Sequence, residues 1–564
     1  MAIYEKYIGR TRDSFASLKD AQENFRIDCP DNFNFAYDVI DTLGREQPQK
    51  RALVWLGADG EEKIFTFADL SRESDRAAAY LYSLGIRKGD RVLLVLKRHY
   101  YFWLLMLGLA KIGAVMVQAT AMLMKKDYVY RCNAGKIKTV ILSGDDNCTG
   151  HFDEGAGEYE TVEQKLVIGG NAPAGWIDLD AGFAATEAKW TRPAGSDATT
   201  ADDLLFICFS SGTSGYPKMI THDCRYPLGH IITGVFWHRC VDGGLHWSIA
   251  DTGWQKAMWG KAFGQWFAES AVMVYDFNKF KADEILDVIQ KYRVTTFCVP
   301  PTMYRMLLQT EVEKYDLSSV THCCTAGEAL NPEIFDEWHR RTGLKIYEGF
   351  GQSESPVMIA TIYPWTEPVP GAAGLPVPGY DVHIVDDECN RCTRGVTGEI
   401  CVCVPDRKKR PCGLLTGYNF DEEQTAKAFR GGYYHTGDTA YRDEHGMFRY
   451  VGRNDDIIKS SGYRIGPFEI ESVLLEHPSV LEVAVTGVPD PDGIRGFLVK
   501  ATIVLKPGYT GSPELARELQ VFVKKNTAPY KYPRVVEFVS ELPKTFSGKV
   551  RRAAIREADA KGAK

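Results

Sequence analysis

A run of small hydroxyl and glycine residues, Phe209-Ser-Ser-Gly-Thr-Ser-Gly-Tyr-Pro-Lys218, follows the apolar stretch Leu204 to Phe209. The pattern reads as a strand feeding a loop. Glycines such as Gly212 and Gly215 let backbone N–H groups approach a phosphate, and the hydroxyls of Ser210, Ser211, Thr213 and Ser214 donate further hydrogen bonds. Lys218 adds a point charge. The Gly-Lys-Ser/Thr ending of a Walker loop is absent, so this is a phosphate loop of another kind. Four further segments carry chemistry. Tyr347-Glu348-Gly349-Phe350-Gly351-Gln352-Ser353-Glu354 sets a hydroxyl and a carboxylate beside a glycine turn. Tyr434-His-Thr-Gly-Asp438 offers an acid after a turn, and Gly452 to Arg464 crowds Arg453, Asp455, Asp456, Lys459 and Arg464 together. Pro543-Lys-Thr-Phe-Ser-Gly-Lys549 presents a lysine on a Gly-Ser loop. Caps, turns and solvated charge account for any one of these, but hardly for all five in this order.

Alternating strands and helices must position these groups. Thr66 to Leu84 has helical spacing at Leu70, Ala77, Leu81 and Leu84, with Thr66 and Asp69 as a capping box and Gly85 as the stop. An apolar strand follows at Arg91 to Leu96, then a helix through Trp103 to Ala110 and a strand from Ala114 to Gln118. The order recurs as a helix at Ala282–Tyr292, a strand at Val294–Val299 and a helix at Thr302–Leu308. Near-continuous apolar strands joined by helices predict α/β layers with mostly parallel sheets. From Tyr380 to Val404 the texture shifts to short alternating runs, as in a small antiparallel sheet or barrel. The last hundred or so residues read as a compact α+β unit.

Composition narrows the function classes. The chain has 564 residues, 45% hydrophobic and 25% charged, with a net charge of −7. That balance argues against a nucleic-acid scaffold or a polybasic membrane binder. The opening stretch has no signal-type apolar core, and the run Tyr100 to Ala110 is too short to span a bilayer, which needs about 20 residues. A cytoplasmic protein with reduced thiols is expected. One cysteine cluster stands out among the 14 cysteines: Cys389, Cys392, Cys401, Cys403 and Cys412. Cys389-Asn-Arg-Cys392 has zinc-ligand spacing, although a hairpin that happens to carry cysteines is the plainer reading.

Taken together, these motifs resemble the adenylate-forming superfamily of acyl- and aryl-CoA synthetases, adenylation domains and luciferases, from about residue 35 to Arg552. Ser248-Ile-Ala-Asp-Thr-Gly-Trp254, Tyr347 to Glu354 and Ala528-Pro-Tyr-Lys-Tyr-Pro-Arg534 are most similar to medium-chain acyl-CoA synthetases, with an archaeal or bacterial member in view. The resemblance implies an α/β fold: a large N-terminal domain of two α/β subdomains plus a small β-barrel over residues 1–454, and a small mobile α+β domain over 455–564. It implies ATP, Mg²⁺ and coenzyme A as reactants. The loop Ser210 to Lys218 would hold the β- and γ-phosphates, and Ser353 the α-phosphate. Glu354 would ligate Mg²⁺. Gly327, Glu328 and Ala329 would border the adenine, Ala329 standing where relatives often have Pro. Asp438 would accept the ribose hydroxyls with Arg453 beside it, and Lys549 would bridge the attacking carboxylate and the α-phosphate. Asp455 matches the hinge about which the C-terminal domain turns. After that turn, Ser461, Gly462 and Tyr463 would line the pantetheine tunnel. Arg464 would contact the phosphate before it, and Lys524, Tyr532, Pro533 and Arg534 are candidates for the CoA nucleotide.

Substrate choice rests on Trp237, Trp254, Trp259, Cys298 and Gly351, which match segments bordering the acyl pocket in relatives. A bulky Trp259, burying roughly 150–250 Å², would shorten the channel and favour short or medium, including branched, acids. An aromatic-acid ligase of the benzoate type is the alternative, and a non-catalytic nucleotide sensor is the alternative from another class. A small-molecule acid, ATP and CoA are the expected partners, without nucleic acid or a membrane span, and a homodimer is left open.

Overall fold

The computed structural model describes residues 1–170, 172–210, 217–460, 463–492, 495–544 and 550–562. Ser211, Gly212, Thr213, Ser214, Gly215, Ser461, Gly462 and Lys549 therefore lie outside the described residues. Two large sheets form the bulk of the chain. An eight-stranded sheet is ordered Gly417–Tyr418, Lys218–Asp223, Leu204–Ser210, Val115–Gln118, Arg91–Val95, Thr139–Ser143, Gln164–Ile168, Ile177–Asp178. Its six strands from Leu204–Ser210 onward pair in parallel. A nine-stranded sheet runs from Leu375–Pro376 through Val357–Ala360, Ile346–Gly351, His322–Ala326, Thr296–Cys298, Leu245–Ser248, Ala271–Tyr275 and Arg51–Leu56 to Glu62–Thr66. Parallel strands need helical crossovers on both faces, which is why stretches such as Val92 to Val95 are buried without alternation.

Local signals set the helices. In the helix Phe67–Ser83, the Asp69 N–H donates to Thr66 Oγ1 at 3.1 Å and the Thr66 N–H donates to Asp69 Oδ2 at 2.9 Å. Leu70, Ala77 and Leu81 are fully buried. The helix Tyr101–Ile112 is buried on every side, as an apolar-all-round helix must be. It packs so closely on its neighbour that a Cβ at Gly108 would stand 2.5 Å from the Ala77 Cβ. Among the described residues, no helix is long and apolar enough to cross a membrane. Lys111, at the end of that helix, is held by Asp41 Oδ1 at 2.7 Å and Asp75 Oδ1 at 2.6 Å. The expected strand at Val294–Val299 is shorter, Thr296–Cys298, and the following helix begins one residue earlier, Pro301–Leu307. Proline at the first helical position, with fixed φ and no N–H to lose, starts it there.

A five-stranded antiparallel sheet follows, built from Val382–Val385, Gly398–Cys403, Phe429–Arg430, Tyr433–Arg442 and Phe448–Arg453. The smaller C-terminal domain carries a hairpin, Ile458–Ser460 with Tyr463–Ile465, and a three-stranded sheet of Val480–Pro489, Phe497–Leu505 and Val535–Phe538. Helices Pro467–Leu475 and Pro513–Asn526 pack against it around Ile470, Leu474, Leu519 and Val523. The fold is thus α/β with a large N-terminal and a smaller C-terminal domain. The five clustered cysteines are not gathered as one ligand set. Cys392 packs beside Gly398, and the Cys412 carbonyl accepts a hydrogen bond from Tyr380.

Candidate active site

The strand Ile346–Gly351 ends at the rim of the nine-stranded sheet, where open α/β sheets bind ligands. Its residues alternate. Gly349 and Gly351 face Trp237 and Trp259 so closely that a Cβ would stand 2.5 Å from Trp237 Cζ2 and 2.4 Å from Trp259 Cη2. The two indoles meet edge to face with centroids 6.2 Å apart. Cys298 is buried in the same cluster, while Trp254 is half-buried at the turn ahead of the helix Lys256–Gly260.

On the opposite face lie Glu348 and Phe350. Glu348 is buried and Oε1 accepts the Leu330 N–H at 3.3 Å. Burial pushes its carboxyl up to about 7, against the ordinary 4.5. Between those values the folded chain holds a proton that the unfolded chain has released, so this group makes stability fall as pH rises through that window. Glu348→Gln keeps the acceptor and removes the titration. It should raise stability at pH 8 by about 3 kcal/mol and change it little at pH 4, as read from urea denaturation at both values.

Gln352, the next residue along, joins two sheets. Its Nε2 donates to the Thr436 carbonyl at 2.8 Å and to Asp438 Oδ2, while Tyr434 O–H donates to its Oε1 at 2.8 Å. Asp438 is almost fully buried; Tyr450 O–H donates to its Oδ1 at 3.1 Å, and Arg453 Nη1 lies 3.6 Å from Oδ2. Asp438 and Arg453 are register partners on adjacent strands, which fixes their pairing. The described part of the hydroxyl-glycine loop is its base, where Ser210 and Lys218 pair across antiparallel strands. Lys218 Nζ lies 5.3 Å from the centre of the Tyr418 ring, and Tyr418 O–H donates to Glu354 Oε1 at 3.2 Å. Burial raises the Glu354 carboxyl above its usual range, opposed by Tyr418, Lys218 and Arg453. His222 Nε2–H donates to the Ser353 carbonyl at 2.9 Å. Burial pushes this imidazole down to about 3, which suits a neutral ring with one N–H.

Gly327 turns at φ +99°, a conformation that a Cβ would strain. Thr302 O–H donates to Glu328 Oε2 at 2.8 Å, and Ala329 is half-buried beyond it. A second group lies on the C-terminal domain. Tyr463 stacks on Tyr530 at 4.0 Å, and Lys524 and Arg534 both lie over the Tyr532 ring, at 4.2 and 4.7 Å, beside buried Pro533. Exposed Asp455 pairs with Arg453 Nε at 3.4 Å. Arg464 falls on the strand Tyr463–Ile465. Sequence reading missed Tyr418, Tyr450 and His222, which act across strand pairs or between sheets and leave no spacing signal. Tyr434 lies within the Tyr434-His-Thr-Gly-Asp438 motif, and its role shows only in its hydrogen bond to Gln352.

The chain matches known proteins along nearly its whole length. The AMP-binding enzyme family matches residues 40–407, and the AMP-binding enzyme C-terminal domain matches residues 469–549. The chain is 39% identical over 569 residues to the mitochondrial acyl-coenzyme A synthetase ACSM3 of Mus musculus, covering 98% of this chain and 95% of that protein. It is 41% identical over 538 residues to the mitochondrial acyl-coenzyme A synthetase ACSM5 of Homo sapiens, covering 93% and 90%. The crystal structure of the anthranilate CoA ligase AuaEII in complex with anthranoyl-AMP superposes with a TM-score of 0.85 at 28% identity, covering 95% of this chain and 99% of that one. The chain belongs to the AMP-binding enzyme family of the adenylate-forming superfamily.

Proposed function

We infer that the chain is an AMP-forming acyl-CoA synthetase that converts a carboxylic acid, ATP and coenzyme A to acyl-CoA, AMP and pyrophosphate through an acyl-adenylate. The observation that carries this reading is the linked set Lys218, Tyr418 and Glu354 beside Gln352, Asp438 and Arg453, drawn together where three sheets meet. A carboxylate is a poor acylating agent, and charge develops at the α-phosphorus as it attacks. Fixed cations and donors stabilise that charge without reorganising. The hydroxyl-glycine loop and Lys218 hold the terminal phosphates, Ser353 bonds the α-phosphate, and Asp438 takes the ribose. Gly327 to Ala329 border the base.

The Glu354 carboxyl fits Mg²⁺: a single partly buried oxygen donor with a phenol behind it suits a hard cation that completes its shell with phosphate oxygens and water. When bound, Mg²⁺ neutralises phosphate charge. The C-terminal domain, from residue 455 on, turns about Asp455. That turn withdraws Lys549 and brings Ser461, Gly462 and Tyr463 to the thiol's path, with Lys524, Tyr532, Pro533 and Arg534 on the CoA nucleotide.

Trp237 and Trp259 close on Gly349 and Gly351, which supports a short or medium, including branched, acid. Trp259→Ala should shift the preferred acid to longer chains, by two or more methylenes at about 0.8 kcal/mol each. Unchanged kcat/KM ratios across a chain-length series would place Trp259 outside the pocket. The function itself is tested with a panel of aliphatic and aromatic acids supplied with ATP, Mg²⁺ and CoA. Acid-dependent pyrophosphate exchange and CoA-dependent AMP release are expected. Exchange that ignores the acid would overturn the reading. Best turnover with an aromatic acid would favour the benzoate-type alternative.

A further inference from the structure

The small antiparallel sheet holds a cluster that the ligase chemistry does not use. Cys401 and His435 are register partners on adjacent strands, and Glu399, two residues from Cys401, shares its face. Their ligand atoms meet: His435 Nδ1 lies 2.9 Å from Glu399 Oε2 and 3.3 Å from Cys401 Sγ. Cys401 and His435 are buried, and the Glu399 side chain is 11% exposed.

The other ring nitrogen fixes the tautomer. His435 Nε2 faces the Arg430 carbonyl at 3.2 Å, and a carbonyl oxygen only accepts, so Nε2 carries its hydrogen. A neutral His435 would then aim the bare Nδ1 lone pair at a carboxylate oxygen and a sulfur. The Cys401 thiol can donate its S–H to Nδ1, but the Nδ1 lone pair and the Glu399 oxygen, 2.9 Å apart, still call for a proton or a metal ion between them. Outer contacts orient the ligands as at metal sites: the Nε2–H on a backbone carbonyl, and Glu399 Oε1 accepting the Gly437 N–H at 2.8 Å. Arg430, about half exposed, reaches Glu399 Oε2 at 3.3 Å from the solvent side, its other terminal nitrogen donating to the Lys427 carbonyl at 2.7 Å. Cys389 approaches the far side of the ring, 3.8 Å from Nε2, and so cannot share an ion held at Nδ1.

We propose that Glu399, Cys401 and His435 bind a thiophilic divalent cation such as Zn²⁺, with water as the fourth ligand, behind the turn that carries Asp438. The mixed O, S, N donor set suits zinc. Binding joins the metal to Sγ and Nδ1, and the thiol and any Nδ1 protons leave to solvent. This corrects the ligand set suggested by the cysteine spacing: one cysteine of the five takes part, with a histidine and a carboxylate from neighbouring strand positions. A second buried set, His238, Cys240 and His246, is less suited. Its two imidazoles stack at 4.3 Å, so their in-plane lone pairs do not meet at one ion.

The test is titration of the chelator-treated full chain with Co²⁺, followed by displacement with Zn²⁺. One equivalent should bind with tetrahedral d–d bands and a sulfur-to-cobalt charge-transfer band, and Zn²⁺ should remove both. Cys401→Ser should abolish the charge-transfer band, while Cys389→Ser leaves it. Glu399→Gln preserves side-chain volume and the acceptor for Gly437, and should weaken Co²⁺ by more than about tenfold with the metal-free melting temperature unchanged. That variant keeps the test valid if Cys401→Ser folds poorly. Binding of well under one equivalent would mean that the cluster holds no metal ion, and a charge-transfer band that survives Cys401→Ser would place the metal on another thiol; either result would overturn the proposal.

Discussion

Changing Lys549 to alanine should slow acyl-adenylate formation by about 10²–10³-fold while leaving thioester formation from supplied acyl-adenylate and CoA near the unaltered rate. The asymmetry follows from where charge develops. In the first half-reaction, anionic oxygens of acid and α-phosphate must approach each other, and a lysine between them offsets their repulsion. In the second half-reaction a thiol attacks a carbonyl, and in the proposed cycle the domain that carries Lys549 has turned away. The base of this lysine's loop is well defined: Lys544 and Val550 form an antiparallel bridge, and the Arg551 N–H donates to the Pro543 carbonyl at 2.8 Å. Loss of the side chain therefore removes a charge without removing the scaffold. Pyrophosphate exchange reads the first step, and single-turnover thioester formation from synthetic adenylate reads the second. Equal loss of both would contradict the assigned role.

Asp438→Ala should raise the KM for ATP by about 100-fold or more, because each hydrogen bond from a ribose hydroxyl to a charged carboxylate contributes about 1.5–3 kcal/mol. The side chain is held from three directions, by Gln352, Tyr450 and Arg453, so in the proposed role its oxygens would meet the sugar already oriented. Asp438→Asn keeps one acceptor and should fall between the two. Calorimetric ATP binding separates this from an effect on the chemical step. An unaltered ATP affinity in Asp438→Ala would remove the residue from the nucleotide site.

Local patterns carried the sequence reading far. Helices with capping boxes and apolar periodicity, such as Phe67–Ser83, form within a residue of expectation, because hydrogen bonds among near neighbours decide their ends. The pairing of Asp438 with Arg453 was legible as two motifs, and the sheet register joins them. What spacing could not convey is contact between sheets. Tyr418 reaches Glu354 from a two-residue strand whose short length gives no periodicity, and Tyr450 reaches Asp438 across a strand pair. The cysteine spacing was limited for a related reason, and the plainer reading of a hairpin that carries cysteines agrees with Cys401 on an antiparallel strand. Cys389 and Cys392 are close in the chain, yet Cys401 meets a histidine and a glutamate on its own sheet face instead.

Gly351 and Gln352 are consecutive, and one backs the tryptophan pocket while the other steers the Asp438 carboxylate. On the proposed reading, acid and nucleotide load a single stretch of backbone, so a shift at one residue is expected at the other. If the acid tightens ATP by some factor, ATP must tighten the acid by the same factor, since coupling free energy is reciprocal. Reshaping the proposed pocket, by widening it at Trp259 or narrowing it at Gly351, is then expected to move ATP affinity as well, so that specificity and nucleotide saturation change together.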